Sequence, residues 1–122
     1  KNFFKKIINL NNKLIKLIKK IKKNNHIIHG YGASTKGNIL LQFCRIGNQE
    51  IDFIADRNTL KFNLFTPGTK IKIISEKESR SIKPNYYLVL PWHFKKEILK
   101  REKNIRKKGV KFIFPLPKIK IV

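Results

Sequence analysis

Between the apolar pair Ile27-Ile28 and the apolar run Ile39-Leu40-Leu41, the chain sets three glycines within eight residues: Gly30, Gly32 and Gly37. This stretch, from His29 to Asn38, constrains the fold more than any other. The segment His26–His29 ahead of it is short and apolar enough for a buried strand. Ser34 or Thr35 then caps a helix that runs through Gly37 to about Cys44. A strand that turns through glycines into a helix is how α/β proteins build an anion site. The glycines let the backbone turn sharply and approach a ligand, and the first N–H groups of the helix, with its dipole, favour negative charge. Neither standard version fits. The dinucleotide fingerprint needs its third glycine where Thr35 stands, and the phosphate loop of nucleotide hydrolases needs Gly-Lys-Ser or Gly-Lys-Thr, whereas here Lys36 precedes Gly37. A tight turn with no ligand is the plain structural alternative.

The rest of the chain alternates in the same manner. Residues 3–22 place Phe4, Ile7, Ile8, Leu14, Ile15, Ile18 and Ile21 at helical spacing, with lysines on the other face. Such a helix packs on a sheet, or lies on a membrane surface. Ile51–Asp56 reads as a strand that ends on a carboxylate, Thr66-Pro67-Gly68 as a turn, and Lys70–Ser75 as a strand with one more exposed face. Tyr86–Leu90 is a buried strand stopped by Pro91. His93 to about Lys108 is a helix ended by Gly109, and Val110–Phe114 a fifth strand stopped by Pro115. Strands alternating with helices predict an α/β, Rossmann-like three-layer sandwich with a mostly parallel sheet of about five strands. The expected division is a leading amphipathic helix at 1–25, an α/β core at 26–117 and a tail at 118–122, in one domain of 122 residues.

The formal net charge of +22 points to a polyanion such as RNA, DNA or an acidic membrane. The bias is joint, however: lysine, isoleucine and asparagine are all abundant, arginine is scarce beside lysine, and the lysines are spread along the chain. That pattern reads as A+T-rich coding drift ahead of selection for nucleic acid, whose readers use arginine for its planar fork. A single cysteine, Cys44, excludes an internal disulfide or a cysteine zinc cluster and is expected as a small core residue. No metal site is expected in this chain. No apolar run reaches membrane-spanning length and no secretory signal is readable, so a cytoplasmic location is expected. The chain lacks methionine and opens on Lys1, which leads to the expectation of a region cut from a longer polypeptide.

Five blocks in order resemble one family. Gly30-Tyr31-Gly32-Ala33-Ser34-Thr35-Lys36-Gly37-Asn38 with Leu40-Leu41 resembles "YGA-x-x-KGN-x-LL". Asp56-Arg57-Asn58 with Lys61 resembles "DRN-x-x-K". Thr66-Pro67-Gly68-Thr69 with Ile71 and Ile73 resembles "TPG-T-x-I-x-I". Pro84-Asn85-Tyr86 and Leu90-Pro91-Trp92 resemble "PDY…LPWN". Gly109 to Pro117 resembles "GG-x-FI-x-P-x-P". These are blocks of the C-terminal domain of S-adenosylmethionine-dependent sugar C-methyltransferases, which methylate a carbon of a nucleotide-linked keto-deoxysugar. Asn85 stands where that family commonly has Asp, and His93 where it commonly has Asn. The resemblance implies a zinc-binding N-terminal part, a middle domain that binds the methyl donor and carries the base, and a Rossmann-like C-terminal domain on the nucleotide-sugar side of the cleft. This chain would be the last of these, inactive alone, with the preceding zinc and S-adenosylmethionine domains as its partners. A basic α/β module for RNA or another polyanion, without catalysis, is the alternative.

No catalytic residue is assigned. The candidate substrate contacts are Gly30, Tyr31, Gly32, Ala33, Lys36, Gly37 and Asn38 in the turn, with Asp56, Arg57, Lys61, Trp92 and His93. Lys36 would act as a point charge on a diphosphate, with Arg57 and Lys61 as further phosphate contacts. Asp56, nineteen positions beyond Gly37, stands near where a ribose-binding acid would sit; a helix cap or a partner for Arg57 is its structural alternative. Trp92 stacks on a base or sugar, or packs as core or lid; Tyr31 reaches the ligand, or packs. The charge run from Lys95-Lys96 to Lys108 reads as a solvated helix face.

Overall fold

Strands buried on both faces must be covered by helices on both faces, and that requirement sets the architecture. The computed structural model describes residues 2–122, with side chains described at 5–6 and 8–122. Strands β1 (Ile28–Tyr31), β2 (Phe53–Asp56), β3 (Lys72–Ser75), β4 (Tyr86–Val89), β5 (Lys111–Phe114) and β6 (Lys120–Ile121) form one sheet in the order β3-β2-β1-β4-β5-β6. The first five run parallel, and β6 lies antiparallel on β5. Helices α1 (Asn2–Lys23) and α2 (Thr35–Phe43) cover one face; α3 (Glu76–Ile82), α4 (Lys95–Arg101) and α5 (Lys103–Lys107) cover the other. This is the expected Rossmann-like α/β sandwich.

Period-two alternation sorts the core. Ile28, Ile54, Ile73, Leu88 and Ile113 meet Leu14, Ile18 and Ile21 of α1 and Leu41 of α2. Tyr31, Ala55, Tyr87, Val89, Phe112 and Phe114 meet Ile98 of α4. The lysine-faced helix α1 therefore docks on the sheet through the i, i+4, i+7 stripe of Leu14, Ile18 and Ile21, all at most 3% exposed. Ile8, expected in that stripe, is 52% exposed, and Phe4 and Ile7 lie outside the described side chains. Among the described residues no helix is long and apolar enough to cross a membrane. Cys44 is a core residue, its thiol pushed up to about 11 by burial.

Four expectations change. The first strand lies at Ile28–Tyr31, not His26–His29, so Gly30 and Tyr31 belong to the strand and the turn begins at Gly32. The tail at 118–122 holds a sixth strand: β5 would otherwise leave an edge of unpaired backbone groups, and Phe112 and Val122 instead exchange two 2.9 Å hydrogen bonds. The single helix at 93–108 is a 3-10 turn at Trp92–Phe94 followed by α4 and α5, broken at Glu102, whose carboxylate is drawn inward between two arginines. Helix α3 was not expected, because Glu76-Lys77-Glu78-Ser79-Arg80-Ser81-Ile82 has no apolar stripe. Its start is nevertheless marked by Ser75-x-x-Glu78, where the Ser75 hydroxyl accepts from the Glu78 N–H at 3.0 Å.

If α1 is docked as described, Leu14→Ala costs about 2–5 kcal/mol in urea denaturation, whereas Ile8→Ala stays within about 0.5 kcal/mol. Equal effects at the two positions would contradict the docking.

Candidate functional site

The order of strands places a crevice. From β1 the chain steps outward to β2 and β3, then crosses back to β4 on the other side of β1. Ligands of open α/β sheets bind outside the carboxyl ends of the strands at such a reversal. Here those ends carry the glycine turn after β1 and Leu90-Pro91-Trp92 after β4. The two loops touch: Gly32, at φ +82°, leaves no room for a side chain against Pro91, and a Cβ on Gly37 would collide with Leu90. Gly32 serves the left-handed turn and Gly37 the close approach of α2 to β4.

The turn is braced from several directions. The Ala33 N–H donates to Asp56 Oδ2 at 2.7 Å, and the Ala33 carbonyl accepts from Lys61 Nζ at 3.0 Å. Asp56 Oδ1 accepts from the Asn58 N–H at 2.7 Å, and Asn58 in turn caps the 3-10 turn that carries Lys61. Ser34 caps α2 through the Gly37 N–H at 3.1 Å. Asn38 donates to the Pro67 carbonyl at 3.0 Å and accepts from the Thr69 hydroxyl at 2.7 Å, while Gln42 donates to the same carbonyl at 2.7 Å. Asp56, Lys61 and Asn38, read from the sequence as ligand contacts, thus hold the turn and its neighbouring loop. Asn85 accepts from the Ile27 N–H at 2.7 Å, a task an aspartate oxygen would also do, so that departure from the family pattern is neutral here.

On the α3/α4 side lies a crevice of about 420 Å³, lined by Gly32, Asp56, Arg57, Glu76, Pro91, Phe94, Glu97 and Arg101 among others. Of the residues expected at a site, it unites Tyr31, Gly32, Asp56 and Arg57. Tyr31 is 4% exposed, and its hydroxyl donates to Glu102 and accepts from Arg101. Burial, then the Glu102 bond, pushes its pKa far up, so it stays a protonated donor. Glu102 is also held by Arg80 at 3.1 Å, and Glu76 pairs with Arg57 at 3.5 Å and Arg80 at 3.7 Å. The guanidinium of Arg101 lies over the Tyr31 ring, 5.5 Å from its centroid. The sequence reading missed Phe94, Glu97, Ile98 and Arg101. Their i, i+3, i+4, i+7 spacing was legible but was masked by the surrounding lysines.

On the other side of the turn, Lys36, Ile39, Leu40, Phe43 and Trp92 form an open apolar depression of about 340 Å³. Lys36 and Trp92 thus come together, apart from Arg57. His93 is exposed and packs on Phe94 at 4.4 Å between ring centroids. Gly30 is buried beneath Ile54 and reaches neither cavity.

His29, buried under α3, has Nδ1 2.6 Å from the Ser79 hydroxyl, which lies 2.6 Å from the Tyr87 hydroxyl. Burial lowers its pKa to about 4, against the opposing pull of Asp52 and with a further push from Lys22. Between pH 6.5 and 4 the unfolded chain therefore binds a proton that the folded chain refuses, and stability falls as pH drops through that window. The loss expected is on the order of 3 kcal/mol, read as a shift of urea midpoint with pH that His29→Gln removes. Asp56→Ala, which orphans two backbone donors, costs about 2–3 kcal/mol and speeds hydrogen exchange at the Ala33 amide. An unchanged Ala33 exchange rate would contradict the brace.

Two comparisons bear on this geometry. The family model described as C-methyltransferase C-terminal domain matches residues 1–117. The chain is similar to C-methyltransferase NovU of Streptomyces niveus, 37% identical over 106 residues, covering 87% of this chain and 25% of that protein. The chain thus spans about a quarter of that relative's length.

Proposed function

The chain belongs to the family of C-methyltransferase C-terminal domains, and from that premise we propose that it forms the substrate-side domain of an S-adenosylmethionine-dependent enzyme. Its substrate in this reading is a nucleotide-linked keto-deoxysugar, methylated on carbon. The observation that carries the reading is the crevice at the strand reversal, where guanidinium donors and carboxylate acceptors face each other across about 420 Å³. A mixed set of this kind suits the hydroxyl and keto oxygens of a sugar.

The residues of the glycine turn do not fit the methyl donor. The acid that would take its ribose hydroxyls, Asp56, has both oxygens engaged by the Ala33 and Asn58 N–H groups, and Thr35 occupies the third glycine position. In keeping with the family resemblance, this reading assigns donor and catalytic base to a preceding domain and zinc to an N-terminal part before it, so that this chain alone transfers no methyl group. In the reaction as proposed, a base would remove the proton beside the ketone, and the enolate carbon would bond the methyl group as the methyl–sulfur bond of the donor breaks, leaving a neutral thioether and restoring the ketone. The contribution of this chain is to bind and orient the sugar. Arg101, fixed by Tyr31 and Glu102, offers a preorganised donor to the sugar's oxygens. Arg57 stands on the opposite wall, and Lys36 and Trp92 stand on the far lip of the turn.

In the full polypeptide carrying this sequence, Arg101→Gln should raise the KM for the nucleotide-sugar at least about tenfold, a loss of one charge-assisted hydrogen bond. The KM for the methyl donor should stay unchanged, and Arg101→Lys should recover part of the loss. An unaltered sugar KM in a folded Arg101→Gln variant would refute the assignment.

A further inference from the structure

The crevice has the wrong charge for a diphosphate. Its lining carries Arg57 and Arg101 but also Asp56, Glu76 and Glu97. A second cavity on the molecule has the opposite character. It is the largest of those described, about 810 Å³, and lies between the first half of α1 and the chain around β6. Five lysines line it, Lys6, Lys13, Lys95, Lys118 and Lys120, and no carboxylate does. The chain brings them together. Lys6, Asn9, Leu10 and Lys13 share one helical face at i, i+3, i+4 and i+7, Lys118 lies in the bend ahead of β6, and Lys120 is the first residue of that strand. Lys95 extends from the start of α4 over the Phe114 ring, 5.5 Å from its centroid. Among the described residues none of the five has a carboxylate within ion-pair distance.

Cavities lined by lysine without acids occur elsewhere on the molecule, as along Lys13, Lys16 and Lys19 of α1; the cavity beside β6 gathers five lysines from three separate parts of the chain. Like charges held around a cavity repel one another, and an anion between them relieves that repulsion. The floor is apolar, formed by Leu10, Phe114, Leu116, Pro117 and Ile119. Cationic walls over an apolar floor suit a ligand with a multiply charged group attached to a flat or apolar body. Phe94, the last residue of the 3-10 turn, lines the crevice, and Lys95, the first residue of α4, lines the lysine cavity.

We propose that the lysine cavity between α1 and β6 is a diphosphate site. This rests on the nucleotide-sugar reading above for the identity of the ligand: the cavity holds the nucleoside diphosphate while the crevice holds the sugar. It moves the anion contact away from the glycine turn. There, Gly32, Ala33, Ser34, Gly37 and Asn38 already give their N–H groups to acceptors within the protein.

The test uses exposed lysines, so that folding is untouched. Calorimetric titration of the 122-residue chain with inorganic pyrophosphate is compared among wild type, Lys118→Ala/Lys120→Ala, and the charge-matched control Lys103→Ala/Lys107→Ala on α5. The expected result is at least a tenfold loss of affinity in the first variant and less than a twofold change in the control. Equal losses in both would overturn the proposal in favour of diffuse charge. So would the absence of pyrophosphate binding alongside tight, strongly salt-dependent binding of poly(U) RNA, which would mark a nucleic-acid surface. The KM for the nucleotide-sugar in the full polypeptide separates this proposal from the reading beneath it. If methylation proceeds and the Lys118/Lys120 variant leaves that KM unchanged, the diphosphate site falls and the function stands. If pyrophosphate binds in the cavity but no nucleotide-sugar is methylated, the anion site stands and the function falls.

Discussion

The peptide groups of Ala33 are held from both sides, the N–H by the Asp56 carboxylate and the carbonyl by the Lys61 ammonium. Everything at the carboxyl edge of the sheet is positioned from this point. The turn after β1 must leave the strand, pass Gly32 at positive φ beneath Pro91, and enter α2 close enough to Leu90 that Gly37 can carry no side chain. A backbone bent this tightly leaves polar groups near the core, where each unpaired one costs about 1–3 kcal/mol. Asp56, Lys61, Ser34 and Asn38 supply the partners. The separated sequence blocks around residues 30–38, 56–61 and 66–69 are thus one construction: a turn and the loops that hold it in place.

That construction fixes the relation between the two halves of the sheet, and with it the crevice between β1 and β4. The wall on the α4 side is itself locked, because Glu102 is buried between Arg80 and Arg101 and receives the Tyr31 hydroxyl. Removing one partner from such a buried cluster leaves a charge uncompensated, which makes the arrangement of Arg101 hard to disturb. Charge is then distributed along the edge. Mixed signs surround the crevice and cations alone surround the cavity beside α1, a division that matches a ligand with a neutral end and an anionic one.

Much of the fold was legible because its strands alternate cleanly between two covered faces and its turns carry glycine and proline. The positions of β2, β4 and β5 follow from short apolar runs such as Tyr86–Leu90, whereas β1 lies two residues beyond the His26–His29 run and takes in Gly30 and Tyr31. Helix α3 was hidden because it buries Ser79 in a hydrogen-bonded network instead of an apolar stripe, and the last strand because Lys120 and Ile121 look like tail until β5 needs a partner. Of the candidate site, Tyr31, Gly32, Asp56 and Arg57 come together at one crevice, while Lys36 and Trp92 stand apart from it. Motif blocks marked Asp56, Lys61 and Asn38, but a sequence does not reveal whether a polar group faces a ligand or a neighbouring backbone. Arg101 lay in a run of lysines whose spacing, not composition, carried the signal.

The most direct test of the account is amide and guanidinium chemical-shift mapping on the isotopically labelled 122-residue chain, titrated with a nucleotide-linked keto-deoxysugar. The account predicts shifts at Gly32, Phe94, Glu97 and the Nε–H of Arg101, with the Ala33 and Gly37 amides little moved because their N–H groups are already bonded to Asp56 and Ser34. Shifts confined to Ala33, Lys36 and Gly37, with Arg101 silent, would place the ligand on the glycine turn and contradict the crevice as the sugar site.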